Sequence, residues 1–406
     1  MSQLWQPIAV LAPVALAIAL RFIPKLRGYQ FTAWIIAAVT AAMIYPQTFL
    51  RVGDFDLRNK WLILLIVQTV MFGMGTQMSL HDFAGVVKSP RGVLVGIVCH
   101  FSVMPLVGLA LTKLFHFEPE IAAGIILIGS CSSGLASNVM AYIAKSNLAL
   151  SVTVTAITTM IAPLMTPLWM KLLADKLVPT SYVEMMVEII KIVLVPIGAA
   201  LLHDYLKRAS IMGRKGVMCA AVIAVVWLGF IAFGGWRLMQ THLPADALMA
   251  VSLLGFVLGA VIVGMIYHWL TRLLTRLDSW MPVASMFGIV YFTLVTTAAG
   301  RDHLLQIGGL LFLAAALHNA AGYFFGYWLS RASGLDKNSA RSVAFEVGLQ
   351  NGGMASGIAG KLGLLGTLGL AAAIFSPWMN VSGSILANYW RKRPVLPATA
   401  PGVPPG

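Results

Sequence analysis

Arg341-Ser-Val-Ala-Phe-Glu346-Val-Gly-Leu-Gln350-Asn351-Gly-Gly-Met-Ala-Ser356 is the stretch that decides the fold, because it sets a carboxylate between apolar runs. Burying a lone carboxylate in hydrocarbon costs roughly 2.5 to 3.5 kcal/mol on insertion scales, so it is kept where it binds something. Its neighbours do not suit an uninterrupted helix. Gly348, Gly352 and Gly353 free the backbone, and Gln350 and Asn351 offer side-chain oxygens. A carboxylate beside a broken helix at the bilayer midplane is how secondary transporters build ion sites.

The rest of the chain supports that reading. It has 406 residues, 59% of them hydrophobic and 10% charged, with a mean hydropathy of +0.85. Soluble domains carry about 25% charged residues, so the composition specifies an all-α polytopic membrane protein whose partner is the lipid bilayer. The net charge of +14 does not imply a nucleic-acid partner, because the basic residues form short clusters between apolar runs. Cys99, Cys131 and Cys219 all lie in apolar stretches and imply neither a metal centre nor a disulfide framework. No P-loop, HExxH or GxSxG occurs, and no enzymatic activity is expected. Tryptophans such as Trp61, Trp169, Trp236, Trp269, Trp280 and Trp390 fall near span ends and read as an interfacial belt.

Thirteen runs approach the roughly 20 apolar residues a span requires: 7–23, 30–49, 61–79, 91–115, 119–145, 148–173, 182–204, 216–236, 246–270, 281–300, 303–330, 338–360 and 364–391. With the N-terminus outside, the cytoplasmic connections hold Arg21, Lys25, Arg27, Lys88, Arg91, Lys145, Lys207, Arg208, Arg214, Lys215, Arg272, Arg276, Arg331, Lys337, Arg341, Arg391, Lys392 and Arg393. The opposite side keeps the other ten of the 28 basic residues. This bias predicts N-out, C-in, and an odd number of spans. The segment before the first run has no positive charge, so a retained first helix is expected rather than a signal peptide. The proline-rich tail, 394–406, is expected to be disordered. No basic residue is expected deep in a span, which leaves Glu346 without a buried cation as partner.

A second broken segment, Gly129-Ser-Cys-Ser-Ser-Gly-Leu-Ala-Ser137-Asn138, lies in the fifth run. Each broken run is followed by one further run that closes a set of five. Paired broken helices in two halves point to an inverted-repeat transporter and to its binding site.

The residues around both breaks resemble the bile acid:sodium symporter family. Gly134-Leu-Ala-Ser137-Asn138-Val-Met-Ala-Tyr142-Ile-Ala-Lys145, followed by Ala149-Leu-Ser151-Val-Thr-Val-Thr155, is similar to its first crossing motif. Phe345-Glu346-Val-Gly-Leu-Gln350-Asn351-Gly-Gly is similar to its second. Phe72-Gly-Met-Gly75, Leu317-His-Asn319 and Trp378-Met-Asn380-Val-Ser-Gly383-Ser also match, so the likeness covers about residues 29–206 and 280–393. It implies two inverted five-helix repeats, 29–175 and then 182–206 with 280–393, arranged as panel and core domains with two discontinuous crossing helices. The first helix, 1–28, and a two-helix hairpin, 214–272, are additions to that pattern.

The resemblance implies sodium (Na+) as the coupled ion and an organic anion, a small carboxylate or a bile-acid-like molecule, as substrate. It implies residence in a bacterial inner (plasma) membrane. Ser137, Asn138, Ser151, Thr155 and Glu346 would form one sodium site. Glu346, Gln350 and the carbonyls of Val347 and Leu349 would form another, with His100 standing where the family has a glutamine. The chemistry is consistent, since sodium is a hard cation that takes oxygen ligands. Ser151 and Thr155 also share a helical face, although membrane serines and threonines commonly bond back to their own helix.

Ser133, Leu135, Asn319, Asn351, Met379 and Asn380 would face the anion. Here Ser132-Ser133-Gly134-Leu135 replaces the family's Pro-Gly-Gly-Thr, and Met379 replaces a histidine of some bacterial members. A proton-coupled carrier using Glu346 and His100 is the alternative. An acyltransferase-type enzyme with His100 or His318 as base, and an anion sensor, stand further off. The oligomeric state is not encoded in these features.

Overall fold

Hydrocarbon offers no partner for backbone polar groups, so each apolar run must close its hydrogen bonds within a helix. The computed structural model describes residues 5–23 and 30–395; Lys25, Arg27 and the tail 396–406 lie outside the described residues. In chain order the helices are α1 (Trp5–Phe22), α2 (Gln30–Ile44), α3 (Lys60–Gly75), α4 (Pro90–Phe115), α5 (Pro119–Ser130), α6 (Ala136–Ile143), α7 (Leu148–Ala174) and α8 (Tyr182–Arg208). They continue with α9 (Ile211–His242), α10 (Ala245–Leu273), α11 (Leu277–Ala299), α12 (Arg301–Ala332), α13 (Lys337–Gly348), α14 (Gly352–Lys361) and α15 (Leu368–Arg391).

Among the described residues nine of these helices are long and apolar enough to cross a membrane by themselves. With α2, α3 and the two interrupted pairs α5–α6 and α13–α14, they follow the thirteen expected runs. Several boundaries differ from expectation. α2 stops at Ile44 rather than 49, because Pro46 cannot continue it. A small hairpin, β1 (Arg51–Val52) with β2 (Phe55–Asp56), turns through Gly53 at φ +59°. The Arg58 guanidinium, donating to Asp56 at 2.8 and 3.0 Å, holds that loop carboxyl down at about 2. α3 stops at Gly75, and the chain bends by 64° into a short helix, Leu80–Lys88.

The helices sort into two layers. α2 and α3 pack on α11, and α3 packs on α8. The second layer holds α4, α5, α6, α7, α12, α13, α14 and α15, with α13 against α4, α7 and α12. The layers meet where glycines of α14 let backbones approach, as small residues do between membrane helices. A Cβ at Gly353 would lie 3.2 Å from Met71 and Val70, one at Gly357 2.4 Å from Val67, and one at Gly360 2.7 Å from Ile63.

The helices expected as additions, α1, α9 and α10, all flank the first layer. α1 lies along α2. In the hairpin, α9 packs on α10, and α10 docks on α8 where a Cβ at Gly264 would meet the Ala199 carbonyl at 2.6 Å. Polar links hold α10 in place: His203 of α8 and His268 meet through their Nδ1 atoms at 3.1 Å, and Tyr267 Oη ties α10 to α11 by donating to Asp278 at 2.6 Å. Gly234, at φ +103°, kinks α9 within a π-helical turn.

Candidate functional site

The two breaks are one structure. α5 ends at Ser130, Cys131 turns extended, and the chain passes through Ser132–Leu135 before α6 begins. α13 ends at Gly348, and Leu349 is extended. The two irregular stretches then pair as an antiparallel bridge between Ser133 and Gln350. Gly134 N donates to the Leu349 carbonyl at 2.9 Å, and Asn351 N donates to the Ser132 carbonyl at 2.8 Å. Backbone groups freed by breaking two helices therefore satisfy each other. A Cβ at Gly134 would lie 2.7 Å from the Gln350 carbonyl, so this approach requires glycine. Asn351 caps α14, its Oδ1 accepting from Met354 N at 3.0 Å.

Beside the bridge lies Glu346, fully buried. Ser151 Oγ donates to its Oε1 at 2.5 Å, and Thr155 Oγ1 donates to its Oε2 at 2.8 Å. Asn138 Oδ1 lies 2.9 Å from Ser151 Oγ and 3.2 Å from Thr155 Oγ1, which is itself 3.2 Å from Ser137 Oγ. Six oxygens from α6, α7 and α13 thus converge. The three hydroxyls among them carry one proton each, and Ser137 also lies 2.8 Å from the Gly134 carbonyl. Every hydroxyl has more acceptors than protons. Such an oxygen-rich pocket suits a hard cation. The first expected ligand set is therefore assembled.

The second set is only partly free. Gln350 Nε2 donates to the Val347 carbonyl at 2.7 Å, and the Leu349 carbonyl is taken by Gly134 N and lies 3.3 Å from Ser133 Oγ. Gln350 Oε1 is buried without a hydrogen-bond partner. His100 is fully buried with Nδ1 2.9 Å from the Glu346 carbonyl and Nε2 2.8 Å from the Cys131 carbonyl, so its ring spans both broken segments.

The expected substrate residues divide. Ser133 and Asn351 lie in the crossing, and Asn351 Nδ2 points toward Ser132 Oγ at 3.4 Å and Met74 Sδ of α3 at 3.9 Å. Leu135 packs against the main core. Asn319 and Met379 instead buttress the crossing: Asn319 Nδ2 donates to the Gly348 carbonyl at 2.7 Å, and Gln350 N donates to Met379 Sδ at 3.2 Å. Asn380 bonds back to Ser376 on its own helix at 2.7 Å. Ser382, which donates to Asn319 Oδ1, and Tyr323, whose ring a Cβ at Gly348 would strike at 2.3 Å, are members of this support missed from the sequence. Ser382 stood in the matched Trp378–Ser384 stretch and signalled the role; Tyr323 had no local signal.

One sequence expectation is corrected. Lys191 and Arg341 are both buried within helices. Neither approaches Glu346. Lys191 Nζ lies 3.1 Å from Glu188 Oε1, whose Oε2 also meets Lys361 Nζ of α14 at 3.1 Å, tying the two layers together. Arg341 donates to the Arg393 carbonyl at 2.9 Å. His318 bonds to the Met104 carbonyl at 2.8 Å and touches Phe375.

Asp336 anchors α13 by accepting from Asn338 N at 2.8 Å and Ser339 N at 3.1 Å. Partial burial raises its affinity for a proton, but the bonds from Ser339 and Asn338 outweigh that and hold the carboxyl below its usual range.

Two interrupted helices, bridged backbone to backbone around a buried carboxylate in an all-helical membrane bundle, define the architecture of a secondary carrier. The comparisons agree. The sequence pattern described as "Sodium Bile acid symporter family" matches residues 62–242. An uncharacterized sodium-dependent transporter of Bacillus subtilis, YocS, is 31% identical over 374 residues, spanning 92% of this chain and 94% of that one. A probable sodium/metabolite cotransporter of Arabidopsis thaliana chloroplasts, BASS1, is 26% identical, with 91% of this chain and 75% of that one covered. The human ileal sodium/bile acid cotransporter is 26% identical over 71% of this chain and 66% of its own. The sodium proton antiporter MjNhaP1 of Methanocaldococcus jannaschii superimposes with a TM-score of 0.53 over 96% of this chain and 97% of its own at 10% identity, a likeness of fold alone. The chain belongs to the sodium bile acid symporter family, and it is a membrane transport protein rather than an enzyme.

Proposed function

We propose that the protein couples inward sodium movement to the uptake of an organic anion by alternating access. The six-oxygen pocket around Glu346 carries this reading, because its hydroxyls have fewer protons than acceptors and a cation would satisfy the excess. Sodium is bound by Ser137, Asn138, Ser151, Thr155 and the Glu346 carboxylate. Gln350 Oε1, without a partner, is the free member of a second position, where His100 holds the two carbonyl-bearing segments. Sodium fixes the crossing. The half-helix starting at Asn351 then presents its N-terminal dipole to an anion, a small carboxylate or a bile-acid-like molecule. Ser133 lies beside it.

The reading treats α2, α3, α8 and α11 as panel and the second layer as core, related as two inverted repeats. Glu188 bridges panel and core through Lys361 while Lys191 stays on its own helix. The carboxylate therefore keeps one cation when the layers part, which lowers the cost of opening.

A thermal-shift series tests the ion site. The parent should melt higher in sodium than in equal potassium, since a ligand that binds only the folded state stabilises it by mass action. Asn138→Ala should weaken apparent sodium affinity roughly tenfold, equivalent to about 1.4 kcal/mol. Identical melting of the parent in both salts would remove sodium from the mechanism. Adding small carboxylates and bile-acid-like anions to the same screen ranks the substrates.

Orientation rests on the basic-residue bias. In a bacterial plasma membrane, a cysteine replacing Thr241 should react with an impermeant thiol reagent from outside, and one replacing Lys207 should not. The reverse pattern would invert the topology.

A further inference from the structure

A lipid-facing cleft of about 780 Å³ lies between α12 and α15. Its walls run from Ala316 to Trp328 and from Trp378 to Trp390, about 18 Å along each helix at 1.5 Å per residue. One leaflet of a hydrocarbon core about 30 Å thick has nearly that depth. Tyr323, Tyr327, Trp328, Trp378, Tyr389 and Trp390 line it with aromatic faces. Trp328 and Tyr389 are more than half exposed.

The two ends of the cleft differ. At the inner end of the walls, in the middle of the bundle, Tyr323 Oη is 3.2 Å from Ser382 Oγ, and Asn319 is bonded to the Gly348 carbonyl of the crossing. At the far end, near the C-termini of both helices, stand two arginines. The Arg393 guanidinium lies 3.9 Å from the Tyr389 ring centroid, and that of Arg341 lies 5.5 Å from Trp390. Arg341 is 8% exposed, and its Nη1 is buried without a hydrogen-bond partner. Among the described residues neither arginine has a carboxylate within ion-pair distance. Aromatic faces attract a cation but bring no net counter-charge, and a buried cation without one is costly.

We infer that this cleft binds one anionic phospholipid of the adjacent leaflet. An acyl chain fills the aromatic channel, and the phosphate meets the exposed Arg393, with the buried Arg341 guanidinium beside Trp390 adding its positive charge from behind. Length, apolar lining and position open to the bilayer favour a lipid chain, and the paired arginines favour a headgroup with net negative charge over a zwitterionic one. The inference does not depend on which anion is transported. The bound chain lies against the Asn319–Ser382 support of Gly348, behind the crossing.

Native mass spectrometry of the full chain in detergent, titrated with phosphatidylglycerol or phosphatidylcholine, tests this. The parent should bind one phosphatidylglycerol roughly tenfold more tightly than phosphatidylcholine, in line with two basic contacts at a membrane surface. Arg393→Gln combined with Arg341→Gln should abolish the preference. Ala320→Phe, at an exposed position lining the cleft, should weaken binding of both lipids by filling the channel. Equal affinity for the two lipids in the parent would overturn the proposal. So would lipid affinities unchanged in both variants. Displacement of bound phosphatidylglycerol by equimolar dodecyl phosphate would assign the cleft to a soluble amphipathic anion and also overturn it.

Discussion

Glu346→Gln should lower sodium-driven uptake at least about a hundredfold, equivalent to ~2.7 kcal/mol of lost stabilisation of the coupled state. The carboxylate contributes two of the six converging oxygens and is the only formal charge among them. Charge-assisted contacts are roughly twice as strong as neutral ones, so a neutral amide of the same size cannot hold the ion comparably. Glutamine can still take part in hydrogen bonds with Ser151 and Thr155, and it removes the cost of a buried charge. The variant should therefore insert and melt at or above the parent in potassium, while losing the sodium-dependent rise in melting temperature. Uptake within twofold of the parent would end the reading of Glu346 as the ion ligand.

Gly134→Val should be nearly as damaging for a different reason. Its Cβ would lie 2.7 Å from the Gln350 carbonyl, a backbone atom that cannot rotate away. Overpacking costs about 1–3 kcal/mol, here spent at the one place where the two broken helices bond to each other. Separation of the strands would leave Gly134 N, Asn351 N and their carbonyl partners unpaired in a dry interior. The expected outcome is loss of uptake together with a melting temperature several degrees lower in sodium and potassium alike. Retention of parental uptake and melting would show that the bridge is dispensable.

Much of this was legible in the chain because hydrocarbon imposes a strong constraint on single segments. Each apolar run announced a span, and Gly129–Asn138 and Glu346–Gly353 announced the breaks. Ser151 and Thr155 fell four residues apart, which placed them on one face. Contacts made across the bundle left no local trace. Ser133 and Leu349 meet at a separation of 216 residues, and no periodicity within either segment encodes that pairing. No basic residue is expected deep in a span, yet Lys191 is buried, because Glu188, three residues before it, supplies the counter-charge and shares that carboxylate with Lys361, far along the chain. The contacts of Asn319 and Met379 with the crossing are hidden from the sequence for the same reason. The amide of Asn319 suits an anion by type, but the groups that engage Asn319 and Met379, the Gly348 carbonyl and Gln350 N, come from another segment.

The helices expected to lie outside the two repeats are unevenly shared. α1 rides on α2 and the α9–α10 hairpin rides on α8, so both ends of the first layer are widened and the second gains none. Fewer than one residue in eight is buried in the apolar stretches of α1, α9 and α10, so their sides are given over to lipid. A wider raft shears more lipid when it slides. In the alternating-access cycle proposed above, the first layer is the slower-moving body in the plane of the bilayer, and the compact second layer, carrying the crossing and its ion pocket, makes the larger excursion.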